Sequence, residues 1–182
     1  MTSHNYFGQV KKDLQGFSAE HKFEIPYFKV YNNTVSVKVY LGEQYDENWR
    51  KIDTPPVQTQ LDEYEKTLRN FLAEIDNIIV DIQEKAFEYY QERYAGYYEK
   101  PFEVLFDNTK IQEVGNGELH PPLHIDSKEK HFEYMKEILG YIHVLENNTL
   151  RIPVSYALDE EHGLELKIVD NKVEAVGGIA ET

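Results

Sequence analysis

Glu160, Glu161 and His162 stand side by side ahead of Gly163, a carboxylate–imidazole grouping in the tail of the chain. A carboxylate beside an imidazole can relay a proton or hold a cation. Adjacent residues on a strand point to opposite faces, so that chemistry requires a turn. The simpler role for Glu161 and His162 is to hydrogen-bond the neighbouring backbone and fix a turn that Gly163 closes. A second stretch, His120-Pro121-Pro122-Leu123-His124-Ile125-Asp126, offers two imidazoles and a carboxylate. Three such ligands could bind a metal and leave one position open for water. Pro121-Pro122 prevents the helical turn that would align His120 with His124, and Asp126 is placed to cap a helix. A metal there would draw its missing ligand from His162 or His143. The expectation is no bound cofactor, with His120, His124 and His162 as the weak metal candidates.

Tyr89, Tyr90, Tyr94, Tyr97 and Tyr98 form a dense aromatic run. Tyrosine suits protein interfaces because it buries a large rigid area and keeps a hydrogen-bonding tip. The competing role is structural, with half of these rings lining a core and half shielding a helix end. No glycine-rich phosphate loop, nucleophile elbow or Ser/His/Asp set in recognisable context is present, and Gly177-Gly178 alone does not indicate a nucleotide site.

These residues need elements to hold them, and the hydrophobic periodicity supplies a set. Tyr6 to Val10 is expected as a short strand and Phe23-Glu24-Ile25 as the start of another. Val35, Val37, Val39 and Leu41 alternate with polar residues, the mark of a half-buried strand. Asn32-Asn33 supplies turn chemistry before it. Together they make an N-terminal β-meander over 5–42. Pro55-Pro56 then breaks the chain and the period changes. Leu61, Tyr64, Leu68, Phe71, Ile75, Ile78, Ile82 and Ala86 recur at steps of three and four, predicting one long helix over 58–95. Thr59 and Asp62 resemble a cap, and Gly96 a stop. A helix of that span is about 50 Å long, which leaves room for a kink.

Residues 96–126 are irregular, with Phe102 to Phe106 as an apolar segment or strand and Gly115-Asn116-Gly117 as loop chemistry. A helix over 127–139 follows, capped by Asp126 or Ser127, with Phe132, Met135 and Leu139 facing inward. Strands then occupy 141–179. Tyr141 to Leu145 is the first; Leu150, Ile152, Val154, Tyr156 and Leu158 alternate in the next. Pro153 suggests that this strand lies at an edge or carries a bulge. Leu164, Leu166 and Ile168 continue the period, and Asp170-Asn171 turns the chain into Lys172 to Val176.

At 182 residues, with 41% hydrophobic and 13% aromatic side chains, the chain suits one packed domain. It has no cysteine, which excludes disulfides and thiol chemistry. The first sixteen residues carry no signal-peptide core, and no window approaches the roughly 18 apolar residues of a membrane span. A cytoplasmic location is expected. The net charge of −14 argues against nucleic acid or an anionic membrane as partner. It fits a basic protein partner, or simply solubility.

Phe7-Gly8-x-Val10, the short meander, the proline before a long helix ending in Tyr89-Tyr90, and a helix before three final strands form a familiar order. With the tail Asp159-x-Glu161-His162-Gly163-Leu164 and Val173-x-x-Val176-Gly177-Gly178, the chain resembles a widespread bacterial domain family of unknown function. The resemblance spans essentially the whole chain, and the tail motif is its specific part. It implies a single-domain cytosolic protein, and some such domains occur in neighbourhoods of polymorphic toxins and their immunity proteins. It transfers no catalytic residues. This chain departs from the family at Tyr156, where members commonly carry tryptophan or cysteine.

The expected fold is α+β: one domain over 1–182, with an antiparallel sheet of N- and C-terminal strands and one long and one shorter helix on one face. The expected working surface comprises Glu160, Glu161, His162 and Gly163 with Tyr94, Tyr97 and Tyr98. The expected function is a non-catalytic protein-binding module, possible immunity-type inhibitor of a toxin, with a basic partner and an oligomeric state left open. The alternative is a hydrolase or metal-dependent enzyme using a histidine/carboxylate site.

Overall fold

The structure, a computed structural model, describes residues 2–31, 35–103 and 119–182. The Asn32-Asn33 turn, the Gly115-Asn116-Gly117 loop and the part of the Phe102–Phe106 segment from Val104 onward lie outside them. The described residues form a single α+β domain around one core. Seven short strands come first: β1 (Ser3–His4), β2 (Gly8–Gln9), β3 (Lys11–Asp13), β4 (Gly16–Ser18), β5 (Phe23–Glu24), β6 (Lys29–Val30) and β7 (Ser36–Leu41). Helices α1 (Gln58–Ala73), α2 (Ile75–Arg93), α3 (Ala95–Tyr98) and α4 (Lys128–Phe132) follow. The chain closes with β8 (Glu137–Ile138), β9 (Tyr141–Leu145), β10 (Thr149–Ser155), β11 (Leu164–Val169) and β12 (Lys172–Gly177).

Among the described residues one sheet runs β12-β11-β10-β9-β7-β4-β3, with β8 bridging β10 and β6. It is antiparallel except at two joints, β7 with β9 and β6 with β8. Those parallel joints are where the N-terminal third meets the C-terminal third. At the larger one, Lys38 pairs with Tyr141 and Leu41 with Val144. The alternation anticipated in the sequence decides the faces. Val37, Val39, Ile142, Val144, Leu150, Ile152, Val154, Leu164, Leu166 and Ile168 all turn inward and are wholly buried.

The helical stripe covers that face. Leu61, Tyr64, Leu68, Phe71, Ile75, Ile78, Ile82, Ala86 and Tyr90 are buried along one line. Each large apolar side chain in such a stripe contributes roughly 1.5–3 kcal/mol by leaving water. α1 lies over β9 and β10, and α2 over β12 and α4. The rod bends locally at Glu74, whose N–H is shared between the carbonyls of Asn70 and Phe71. It starts at Val57 rather than Thr59, because the Gln60 side chain reaches back to accept the Val57 N–H at 3.0 Å. Asp62 is used elsewhere, accepting Nε2 of the buried His4 at 3.1 Å.

Several sequence expectations are corrected by packing. Tyr6 and Phe7 lie in the turn between β1 and β2, not in a strand. Phe7 is wholly buried there, and its carbonyl accepts the N–H groups of Glu20 and His21. The helix expected over 127–139 ends at Phe132, a 3₁₀ turn carries Glu133–Met135, and Glu137–Ile138 joins the sheet instead. Sheet pairing of Ile138 with Val154 wins over continued helix. Ser127 is the cap, accepting the Lys130 N–H, while Asp126 pairs with Lys130 at 2.8 Å. Pro153 is neither at an edge nor in a bulge: β10 has strands on both sides. Its carbonyl accepts Leu139 N–H at the gap between β8 and β9, so its missing N–H faces the same gap and costs no ladder bond.

Where α2 meets α4, His131 is wholly buried among Phe87, Tyr90 and Tyr156. Its Nε2 lies 2.9 Å from the Tyr156 hydroxyl, and its Nδ1 has no hydrogen-bond partner among the described residues. Burial pushes the imidazole down from 6.5 to about 4. An unfolded chain takes up this proton near 6.5, so acid favours unfolding over that window. Half-buried His143, also held at about 4 by burial and then by Arg151, acts in the same direction. The expected outcome is full stability above pH 6.5, with about 3 kcal/mol from His131 lost as pH falls to about 4. Urea midpoints measured across that range, with His131→Phe giving a shallower decline, check it.

Candidate functional site

The long helix ends in tyrosines, and the end is anchored on both sides. Tyr94 closes α2 by donating its N–H to the Tyr90 carbonyl, and α3 restarts at once with Tyr97 and Tyr98 bonded back to Tyr94. Gly96 therefore sits inside α3 and does not stop the helix. Tyr90, fully buried, donates its hydroxyl to the Glu99 carboxylate, which also accepts the Ile125 N–H at 2.8 Å. Leu123 N–H bonds the Tyr98 carbonyl. These contacts carry the proline-rich stretch 121–125 across the helix end. Phe102 and His120 pair backbone to backbone beside it, their rings stacked 5.6 Å apart.

The other wall is the turn between β10 and β11. Asp159 builds it. One carboxylate oxygen accepts the His162 N–H at 3.2 Å and its ring Nδ1–H at 2.9 Å; the other accepts the Tyr94 hydroxyl at 2.9 Å. The Asp159 carbonyl takes the Gly163 N–H at 2.8 Å. The turn-fixing role expected of Glu161 and His162 is shared differently: the organising carboxylate is Asp159, three residues before the imidazole. Glu160 and Glu161 are exposed on the rim. Asp159 on Nδ1 holds the His162 imidazole above its ordinary range.

The two walls enclose a cleft of about 560 Å³ lined by Tyr94, Tyr97, Tyr98, Phe102, His120, Leu123, Tyr134 and residues 157–162. Six of the seven residues expected to form a working surface line it: Glu160, Glu161, His162, Tyr94, Tyr97 and Tyr98. Gly163 lies behind, buried, with φ of +61°. Of the metal candidates, His120 and His162 reach the cleft, while exposed His124 does not and its backbone adopts φ of +54°. His143 sits on β9, stacked on Tyr40, away from it. Among the described residues no three histidine or carboxylate side chains are grouped to hold a metal ion.

Two contributors escaped the sequence reading. Asp159 stands in the sequence only as part of the tail motif, and its bonds to the His162 backbone and ring form only once the turn is made. Tyr134, on the 3₁₀ turn, supports the floor, its carbonyl accepting the Ala157 N–H at 2.9 Å. Nothing local in the sequence marks it.

Among the described residues no helix is long and apolar enough to cross a membrane. Compared with protein-family models, curated proteins and solved structures, the chain matches none, so the functional reading rests on this geometry.

Gly163 is the test of the turn. A methyl group there would lie 2.9 Å from the Val154 carbonyl and 2.8 Å from the Ile179 side chain, at a φ that side chains rarely adopt. Gly163→Ala is expected to destabilise the fold by roughly 1–3 kcal/mol and to loosen the His162 contact to Asp159. A lowered melting temperature together with a His162 titration moved toward its ordinary pKa checks both.

Proposed function

We propose that this chain is a non-catalytic, cytosolic protein-binding module that receives a basic partner in the tyrosine-lined cleft. The observation that carries the reading is convergence. Two segments more than fifty residues apart, the helix end at Tyr94–Tyr98 and the turn at Asp159–His162, meet to form one concave aromatic surface with a carboxylate rim. Clefts of this size and lining are the usual place for a ligand or anchor residue to dock. Tyrosine-rich cores are where interfaces concentrate their energy, and a negative rim speeds and orients the approach of a basic protein. The net charge of −14 adds a long-range field of the same sign.

Within this reading the chain acts as an immunity-type inhibitor: it occupies a basic surface on a toxin and so covers the toxin's working site. The charge supports a protein target and not nucleic acid, whose phosphates the rim would repel.

A second reading is favoured by one observation, the Asp159–His162 pair. With Nδ1–H donating to Asp159, Nε2 is the basic atom, the arrangement a general base requires beside a substrate cavity. Hydrolysis of ester or amide probes that disappears in His162→Gln would support it; wild-type protein inert toward the panel removes it.

The binding reading predicts that the chain, bound to a resin through a tag, retains one near-stoichiometric basic protein from lysate of its native host. Retention should weaken at moderate salt. Glu160→Lys combined with Glu161→Lys should cut it by roughly tenfold or more without changing the melting temperature. Retention unaffected by the double reversal excludes this cleft as the interface.

A further inference from the structure

The rings of the cleft stand in a particular arrangement. Tyr97 and Tyr98 are 5.1 Å apart and nearly perpendicular, at 89°. Tyr98 and Phe102 are 5.0 Å apart at 77°, and Tyr97 and Phe102 are 5.9 Å apart at 51°. Three rings thus form a corner and not a stack. Two hydrogen bonds hold the corner: the Tyr97 hydroxyl donates to the Glu103 carbonyl, and the Tyr98 hydroxyl to the Leu158 carbonyl of the other wall. With their hydroxyls engaged, these tyrosines line the cleft with their rings. Asp159, Glu160 and Glu161 line the same cleft. No lysine or arginine lines the cleft among the described residues.

Aromatic rings and carboxylates that line one cleft are complementary to a cation that can shed its water. The guanidinium group fits best. It is planar, weakly hydrated, stacks on aromatic rings and pairs with carboxylates through two parallel N–H bonds. An ammonium is compact and strongly hydrated, and would use the carboxylates while leaving the perpendicular rings poorly filled. The cleft volume of about 560 Å³ is larger than one side chain. It therefore accommodates the arginine together with an apolar neighbour against Leu123 and Phe102.

From this we infer that the cleft is a receptor for an arginine side chain presented by the partner protein. The inference rests on the binding-module reading and adds to it the anchor residue. The rings and the rim act together: the rings select a flat cation over an apolar group, and the carboxylates select a cation over a neutral amide. His120 and His162 are the basic side chains in the lining among the described residues, and the three carboxylates outnumber them.

The test uses the full chain and three small probes: N-acetyl-arginine amide, N-acetyl-lysine amide and N-acetyl-norleucine amide. Titrations are followed by amide and aromatic NMR shifts. The expected result is a dissociation constant on the order of 1 mM for the arginine probe, with shifts at Tyr97, Tyr98 and His162. The lysine and norleucine probes should bind roughly tenfold more weakly. Glu161→Gln and Tyr97→Leu, both at exposed positions, should each weaken the arginine probe by about fivefold or more while leaving the melting temperature unchanged. Equal binding of norleucine, equal binding of lysine, or no arginine-induced shift in the cleft overturns the inference. A captured partner lost on charge reversal of Glu160 and Glu161, combined with an arginine probe that leaves the cleft untouched, would overturn the anchor and leave the binding module standing. An arginine probe seated in the cleft, with no captured partner, would support the receptor and remove the proposed partner.

Discussion

A helical rod whose apolar stripe runs from Leu61 to Tyr90 can be buried along only one line, and the inner face of the sheet supplies that line. Everything at the candidate site follows from this packing. The stripe fixes the rod lengthwise over β9, β10 and β12, so the end of the rod is delivered to a set place above the turn between β10 and β11. Tyr90, Tyr156 and His131 close the core at that place, all three wholly buried. The next turn of chain, Tyr94 to Tyr98, packs partly buried against the margin of that core and becomes the wall of a cleft.

The Asp159 carboxylate is the link between core and surface. It accepts one hydroxyl from the helix end and two N–H groups from its own turn, so a single charged group ties both walls together. Charge-assisted bonds of this kind hold geometry better than neutral ones do. The neighbouring glutamates stand exposed at the rim, where a negative field steers partners at little structural cost. Aromatic walls held by hydrogen bonds suit an anchor-type recognition site, because little side-chain freedom is lost when the anchor enters.

Much of the fold was legible because burial imposes periodicity. Alternation in β7, β10 and β11 and the three–four stepping of α1 and α2 are direct imprints of which side faces the core. Where such an imprint is short the reading failed. Tyr6-Phe7 is apolar enough for a strand, yet one buried phenylalanine in a turn satisfies the same local pattern. Glu137-Ile138 follows a helical stretch without any break, and only the pairing of Ile138 with Val154 ends that helix. Pro153 looks like an edge residue because proline lacks a donor; the gap between β8 and β9 gives that missing donor a central place.

By itself the sequence determined the α+β class, the inward faces, the long helix and the two chemical groupings, tyrosines and acidic turn, because each depends on residue type and local spacing alone. Tertiary structure decided that those groupings face one another, that Asp159 and not Glu161 organises the turn, that His120 and His162 share a cleft while His124 turns away, and that the ends of the chain join through parallel strands. The physical reason is common to all four. Each depends on contacts between residues far apart in the chain, and such contacts are selected by the packing of the whole core, which no local pattern encodes.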